Sequence, residues 1–144
     1  MSRRWKAPDP AELAPPTDPT MERAIAWLDR STSHIERIMG AMPGMSLDAL
    51  AGAYCTVMTI HWGLKTLVES VPQGQYGNEF SDKAAKLQGL IMKAVKAIHN
   101  RMIEVAVREF EKILDSLEVA IDRFGFDPNK IPPFLPEPPV LDPV

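Results

Sequence analysis

Cationic and aromatic side chains recur every three or four residues in the first third of the chain. At that spacing they fall along one stripe of a helix. Arginine binds phosphate in a bidentate manner, and a row of guanidinium groups can follow a phosphate backbone. We therefore interpret the stripe as a phosphate-contact ridge, with a solvated face paired to acids of another helix as the alternative. Its members are Arg23, Trp27, Arg30, His34 and Arg37.

A second cationic stripe lies in the second half of the chain. Residues 83–101 carry five cations and no acid. Lys86, Lys93 and Lys96 share one heptad stripe. Gly89 lies between them, and its lack of a side chain would let a phosphate backbone approach the helix closely. The alternative is pairing with an acidic stripe on the first helix, formed by Glu22, Asp29 and Glu36.

The N-terminus adds a short basic segment without nearby acids. It consists of Arg3, Arg4, Trp5 and Lys6. It is either a disordered basic terminus or an arm that lies on phosphate and stacks Trp5 on a base or a neighbouring subunit. Residues 7–19 hold five prolines, so we predict an extended arm over residues 1–18.

The stripes need helices to align them, and periodicity predicts three, over residues 19–39, 47–71 and 79–124. Asp18 and Ser46 are the expected N-caps of the first two, and Gly125 is expected to end the third. Apolar residues from Leu87 to Phe124 are expected to share one broad face of the third helix. Cys55 is expected in the core of the second.

The predicted third helix is long for a chain of this size. Its 46 residues would span ~69 Å, whereas a compact domain of 144 residues is roughly 40 Å across. We favour an elongated protein that completes its burial with neighbours over a helix that breaks near Gly89 or His99-Asn100. The predicted fold is all-α: an elongated helical bundle over residues 19–126, with one very long C-terminal helix and extended proline-rich arms at both ends.

The last 18 residues, 127–144, hold seven prolines and read as extended, polyproline-like backbone. They also carry more apolar side chains than a solvated tail needs. We interpret this tail as a clasp on another subunit, most directly through Ile131, Phe134, Leu135, Val140 and Leu141.

Composition argues against several functional classes. A net charge of -3 excludes a uniformly basic nucleic-acid binder, so the location of charge matters. The histidines lack the Glu-x-x-His spacing of di-metal bundles, and no Cys/His pattern fits zinc. We expect no enzyme, cofactor, metal or small-molecule substrate. The uncharged run over residues 49–64 is 16 residues long, short of the ~20 that span a membrane, so no insertion is expected.

The combination of arm, helices, one very long helix and extended tail resembles the major capsid proteins of filamentous viruses of hyperthermophilic archaea, in particular the tristromavirus type. The resemblance is one of architecture and covers most of the chain. It implies a thermophilic virion protein, assembled in the host cytoplasm, that pairs with a like or similar subunit. It also implies that the pair wraps double-stranded DNA in A-form into a helical filament through its phosphates.

Two other interpretations remain open. One is a protein-only helical assembly or interaction module with clasping proline-rich arms. The other is a cellular DNA-architectural or secretion-associated helical protein. Retention on DNA that falls steeply with salt would separate nucleic-acid binding from a protein-only role, because counterion release makes phosphate binding salt-sensitive.

Deletion of residues 127–144 tests the clasp. We expect the truncated chain to lose higher assembly and to keep most of its helix content, because the predicted helices end before the deletion. Electron microscopy and circular dichroism measure the two properties. Normal assembly of the truncated chain would contradict the clasp hypothesis.

Overall fold

The computed structural model describes residues 5–71 and 77–125. Within them the chain is helical and holds no strand. Two short 3₁₀ turns, Pro10–Leu13 and Met42–Gly44, accompany three α-helices: α1, Met21–Ala41; α2, Leu47–Ser70; and α3, Asn78–Phe124. The prediction of an all-α fold with a very long C-terminal helix is confirmed, and α3 runs for 47 residues. The predicted tail, 127–144, lies outside the described residues.

The chain divides into two units, residues 1–107 and 108–144. The first unit contains the core, to which α1, α2 and the N-terminal part of α3 all contribute. Its largest fully buried side chains are Trp27, Leu28, Ile35, Ile38, Leu50, Val57, Ile60, Leu67, Leu87 and Ile98. In the second unit, the described side chains belong to the last turns of α3, and none of them is buried.

The helix ends follow local capping chemistry. The Thr20 hydroxyl accepts a hydrogen bond from the backbone N–H of Arg23 at 3.2 Å, so Thr20 is the N-cap of α1 and the prediction of Asp18 was wrong. Ser46 caps α2 as predicted. Gly125 has φ +70°, the left-handed conformation that ends a helix at low steric cost.

Trp27 is buried, which corrects its predicted place on an exposed stripe. Its side chain is 1% exposed. Its indole N–H donates to the carbonyl of Leu13 at 3.1 Å. An indole that is buried in the core cannot stack on a ligand, and this one instead joins the 3₁₀ turn of the arm to α1.

Two glycines of α2 accommodate tryptophan rings. A Cβ atom at Gly63 would lie 2.8 Å from the Trp27 ring, and one at Gly52 would lie 3.7 Å from the Trp5 ring. The side of α2 that holds Gly52 and Gly63 is therefore covered by α1 and by the arm. Because Trp5 packs against Gly52 and Pro15 lies near Gly63, the arm follows α2 for about three turns.

Two polar contacts join α3 to α1. The Lys83 ammonium lies 2.8 Å from the carboxylate of Asp29. The Arg101 guanidinium donates to the carbonyl of Pro43, just past the end of α1, at 2.9 Å. Asp29 precedes Pro43 in the chain and Lys83 precedes Arg101, so α1 and this part of α3 run parallel.

A further expectation, that Cys55 lies in the core of α2, is wrong. Cys55 is exposed on α2. The broad apolar face predicted for α3 is buried at Leu87, whereas Ile113 and Leu117 are 63% and 54% exposed. Among the described residues, no helix combines the length and the hydropathy needed to cross a membrane.

Replacement of Gly63 by alanine tests the Trp27 contact. We expect a loss of about 1–3 kcal/mol in the free energy of unfolding, because the added methyl would overlap a buried ring that is held by a hydrogen bond. Chemical denaturation measures it. Gly89→Ala is the control, since nothing lies within 4 Å of its Cβ position, and this change should stabilise α3 by up to about 1 kcal/mol. Equal effects of the two substitutions would contradict the packing argument.

Candidate nucleic-acid interface

Three arginines form a row on α1. Arg23, Arg30 and Arg37 are seven residues apart, so the row covers ~21 Å of helix. All three are exposed. Among the described residues, none of the three forms an ion pair. Their guanidinium groups are therefore available to an outside anion. The alternative interpretation, in which they pair with acids of another helix, is not seen within the described residues.

The N-terminal arm meets this row at its C-terminal end. A groove of about 410 Å³ lies between the arm and α1. It combines two cations, a histidine, an aromatic ring and one carboxylate. Four of the residues predicted from the sequence as nucleic-acid contacts come together here. The groove is lined by Trp5, Lys6, Pro8, Glu12, His34, Arg37 and Ala41.

The electrostatics of the groove are reflected in His34. Burial lowers the pKa of His34 from its usual value of 6.5, and the positive charge of Arg37 lowers it further. The carboxylate of Glu12 acts in the opposite direction. His34 is thus neutral at pH 7. A phosphate placed beside Arg37 would offset the arginine charge and favour a protonated His34, which would then add a third charged donor.

The cations of α3 between residues 83 and 101 divide into two sets. Lys83 donates to the Asp29 carboxylate, which raises the pKa of Lys83, and Arg101 donates to the carbonyl of Pro43 just past α1. Lys86, Lys93 and Lys96 are exposed, and in the described part of the chain they form no ion pair. Among the described cations of residues 83–101, only Lys83 pairs with the acidic stripe of α1, and Lys83 is not a member of the lysine stripe for which that pairing was the alternative.

Gly89 leaves the lysine stripe open, as predicted. It is exposed, and nothing lies within 4 Å of its Cβ position. A rigid anionic backbone could therefore come within contact distance of the α3 main chain between Lys86 and Lys93.

Several residues that were predicted to contact nucleic acid or another subunit are not fully exposed or lie outside the described residues. Arg3 and Arg4, and all five tail residues of the clasp, lie outside the described residues. Trp27 belongs to the core. Trp5 is half-buried against Gly52, so the groove exposes only part of its ring. The sequence could not separate Trp27 from its stripe, because a helical projection does not show that the arm covers that side of α1.

One feature was not found from the sequence. A groove of about 490 Å³ runs between α2 and α3, and the rings of Tyr54 and His99 stack beside it at 5.3 Å. The Nδ1 atom of His61, which lines the groove, is buried without a hydrogen-bond partner. Across the described residues, no cluster of His, Cys, Asp or Glu could hold a metal ion.

Comparison with protein-family models, curated proteins and solved structures finds no match for this chain. The function is therefore argued from the geometry of its own residues.

The groove predicts a pH dependence of stability. Because the pKa of His34 is lowered on folding, the unfolded chain binds more protons below pH 6.5. The contribution of His34 to stability is present above that pH and is lost as the pH falls through the lowered pKa. We expect the free energy of unfolding, measured by chemical denaturation, to fall less between about pH 8 and about pH 5 for His34→Gln than for the wild type.

Glu12→Gln is the companion variant. It removes the carboxylate that opposes the effect of Arg37, so its loss of stability on acidification should exceed that of the wild type. Identical pH profiles for all three proteins would contradict the assignment of His34.

Proposed function

We propose that this chain is a structural, non-enzymatic subunit of a virion that assembles with like or similar subunits and coats double-stranded DNA through phosphate contacts. The supporting observation is a set of exposed cations on two helices that have no ion-pair partner among the described residues. The set consists of Arg23, Arg30, Arg37, Lys86, Lys93 and Lys96.

The distribution of these cations favours phosphates over bases. They occur in rows about 15 to 21 Å long, and the arginines are spaced by about 10.5 Å. Rows of this kind can span neighbouring phosphates on both sides of a groove. Phosphate contacts fix the position of a protein on the duplex and carry no sequence information directly. The proposed binding is therefore independent of sequence.

The acidic net charge is compatible with this proposal because the charges are segregated. Residues 83–101 carry a net +5, and residues 102–124 carry six acids against three cations, a net -3. On α1, Asp29 is engaged by Lys83. Screening shortens the range of repulsion from the remaining acids to about 8 to 10 Å at physiological salt.

A protein-only helical assembly is the second candidate. It is favoured by a specific observation, the exposed large apolar side chains in the C-terminal part of α3. That observation favours a protein partner and does not depend on DNA. The first candidate function requires the six cations to bind DNA phosphates, whereas a protein-only assembly does not. Substitution of these cations therefore distinguishes the two candidates.

The experiment measures binding to a DNA duplex at several salt concentrations. Replacing Arg23, Arg30 and Arg37 together by glutamine should weaken binding to all sequences alike. It should flatten the slope of log affinity against log salt by up to ~3, because each lost phosphate contact removes about 0.9. The same change at Lys86, Lys93 and Lys96 should have a comparable effect.

The matched control removes three cations elsewhere. Arg108, Lys112 and Arg123 to glutamine changes the net charge by the same amount, within the acidic part of α3. This control should keep the wild-type slope, and two duplexes of unrelated sequence should give the same result. If the arginine and lysine variants bind DNA like the wild type, the proposal fails and the protein-only assembly is favoured. Circular dichroism verifies that each variant keeps its helices.

A further inference from the structure

The C-terminal part of α3 carries an apolar stripe that the chain leaves uncovered. Its members alternate at intervals of four and three residues, the heptad spacing of a coiled-coil seam. We name it the outer seam, and it consists of Ile103, Val107, Phe110, Leu114, Leu117 and Ile121.

The outer seam is distinct from the core. Within the first unit, Ile98 is fully buried, whereas Ile103 and Val107 are 63% and 50% exposed. In the second unit, Phe110 and Leu117 are 60% and 54% exposed. The same helix therefore has a buried face for its own bundle and a separate apolar stripe.

The exposed area lies in the upper part of the range that monomeric proteins leave. A large apolar side chain offers roughly 200 Å², so half exposure leaves roughly 100 Å² per residue. Five of the six seam residues are about half exposed or more and together present about 500 Å², and the sixth, Ile121, is partly buried. Two such seams buried against each other remove about 1,000 Å², the area that a specific protein interface should reach.

We propose that the outer seam pairs with the outer seam of a second copy of this chain in a parallel, two-stranded coiled coil. A heptad stripe is self-complementary, since each seam supplies both the knobs and the holes that the other needs. Two of the three a positions, Val107 and Ile121, are β-branched, which favours two strands. This interface goes beyond the proposed DNA contact, and its formation does not depend on DNA.

The charges that flank the seam select the orientation. The e positions are acidic at Glu111 and Glu118, while the g positions hold Ala106, Ile113 and Ala120. A parallel pair places each e position beside a g position of the partner, so glutamate meets an apolar side chain. An antiparallel pair would place e beside e, and glutamate would face glutamate. Like charges at such positions oppose pairing.

The N-terminal limit of the pairing follows from the same register. Continued backward at heptad spacing, the seam passes through Asn100, Lys96 and Lys93. A parallel partner would bring lysine against lysine there, and so the coiled coil begins at Ile103. The cationic stripe of each copy is left unpaired by the dimer and stays available to an anion.

Analytical ultracentrifugation of the full chain without nucleic acid tests the pairing. We expect the wild type to be dimeric and Leu117→Glu to raise the dimer dissociation constant by about 100-fold or more, because two carboxylates would enter the seam. Val119→Glu is the matched control. Val119 is 65% exposed on the same helix but lies at an f position outside the seam, so this variant should remain dimeric.

Cross-linking tests the orientation. Cys55 is exposed and is first replaced by serine. Ile103→Cys and Ile121→Cys, each made alone in that background, should both link to themselves through a short thiol-specific cross-linker if the strands are parallel. In an antiparallel pair, positions 103 and 121 would meet each other, with like positions ~27 Å apart. Only a mixture of the two variants would then link.

Three results would overturn the proposal: a monomeric wild type, a dimer that is insensitive to Leu117→Glu, or links that form only in the mixture. A wild-type monomer that dimerises once residues 127–144 are deleted would assign the seam to the chain's own tail instead. None of these measurements involves DNA, so failure of the coiled coil and failure of the proposed DNA binding are distinguishable.

Discussion

The indole of Trp27 fixes the geometry of the first unit. It fills the space that Gly63 leaves on α2, and its N–H donates to the carbonyl of Leu13 at 3.1 Å. A buried donor without a partner would cost about 1 to 3 kcal/mol, so this bond also determines where the arm can lie. Through it, the arm is held along α2, and Lys6 comes to share a groove with His34 and Arg37. The candidate interface therefore depends on a core contact.

The helices were predictable from the sequence because their signals are local. Proline-free apolar periodicity, the Ser46 cap and the left-handed Gly125 each act within a few residues of where they stand. The place of Trp27 was not predictable in this way. Its spacing matches that of the arginines on α1, and its burial depends on Leu13 and Gly63, which are 14 and 36 residues away. Periodicity identifies a face but does not identify what covers it.

The same distinction applies to the cations. The sequence predicted that residues 83–101 form a basic segment, and their charge is a property of composition alone. It could not separate Lys83, which binds Asp29, from Lys86, which is one turn further along and free of ion pairs among the described residues. Packing decides this, since Lys83 reaches Asp29 on α1 whereas Lys86 is exposed. Only the packed arrangement of α1 and α3 shows which lysine comes close enough to a carboxylate.

The apolar residues of α3 lie on two stripes and so could not all face one neighbour. Ile98, which belongs to the core, and Ile103, where the outer seam begins, are five residues apart, so at 100° per residue they point about 140° away from each other. The core stripe is covered by α1 and α2. The outer seam keeps the heptad spacing that a coiled-coil partner would require, and it continues along a helix of 47 residues whose last turns extend past the core.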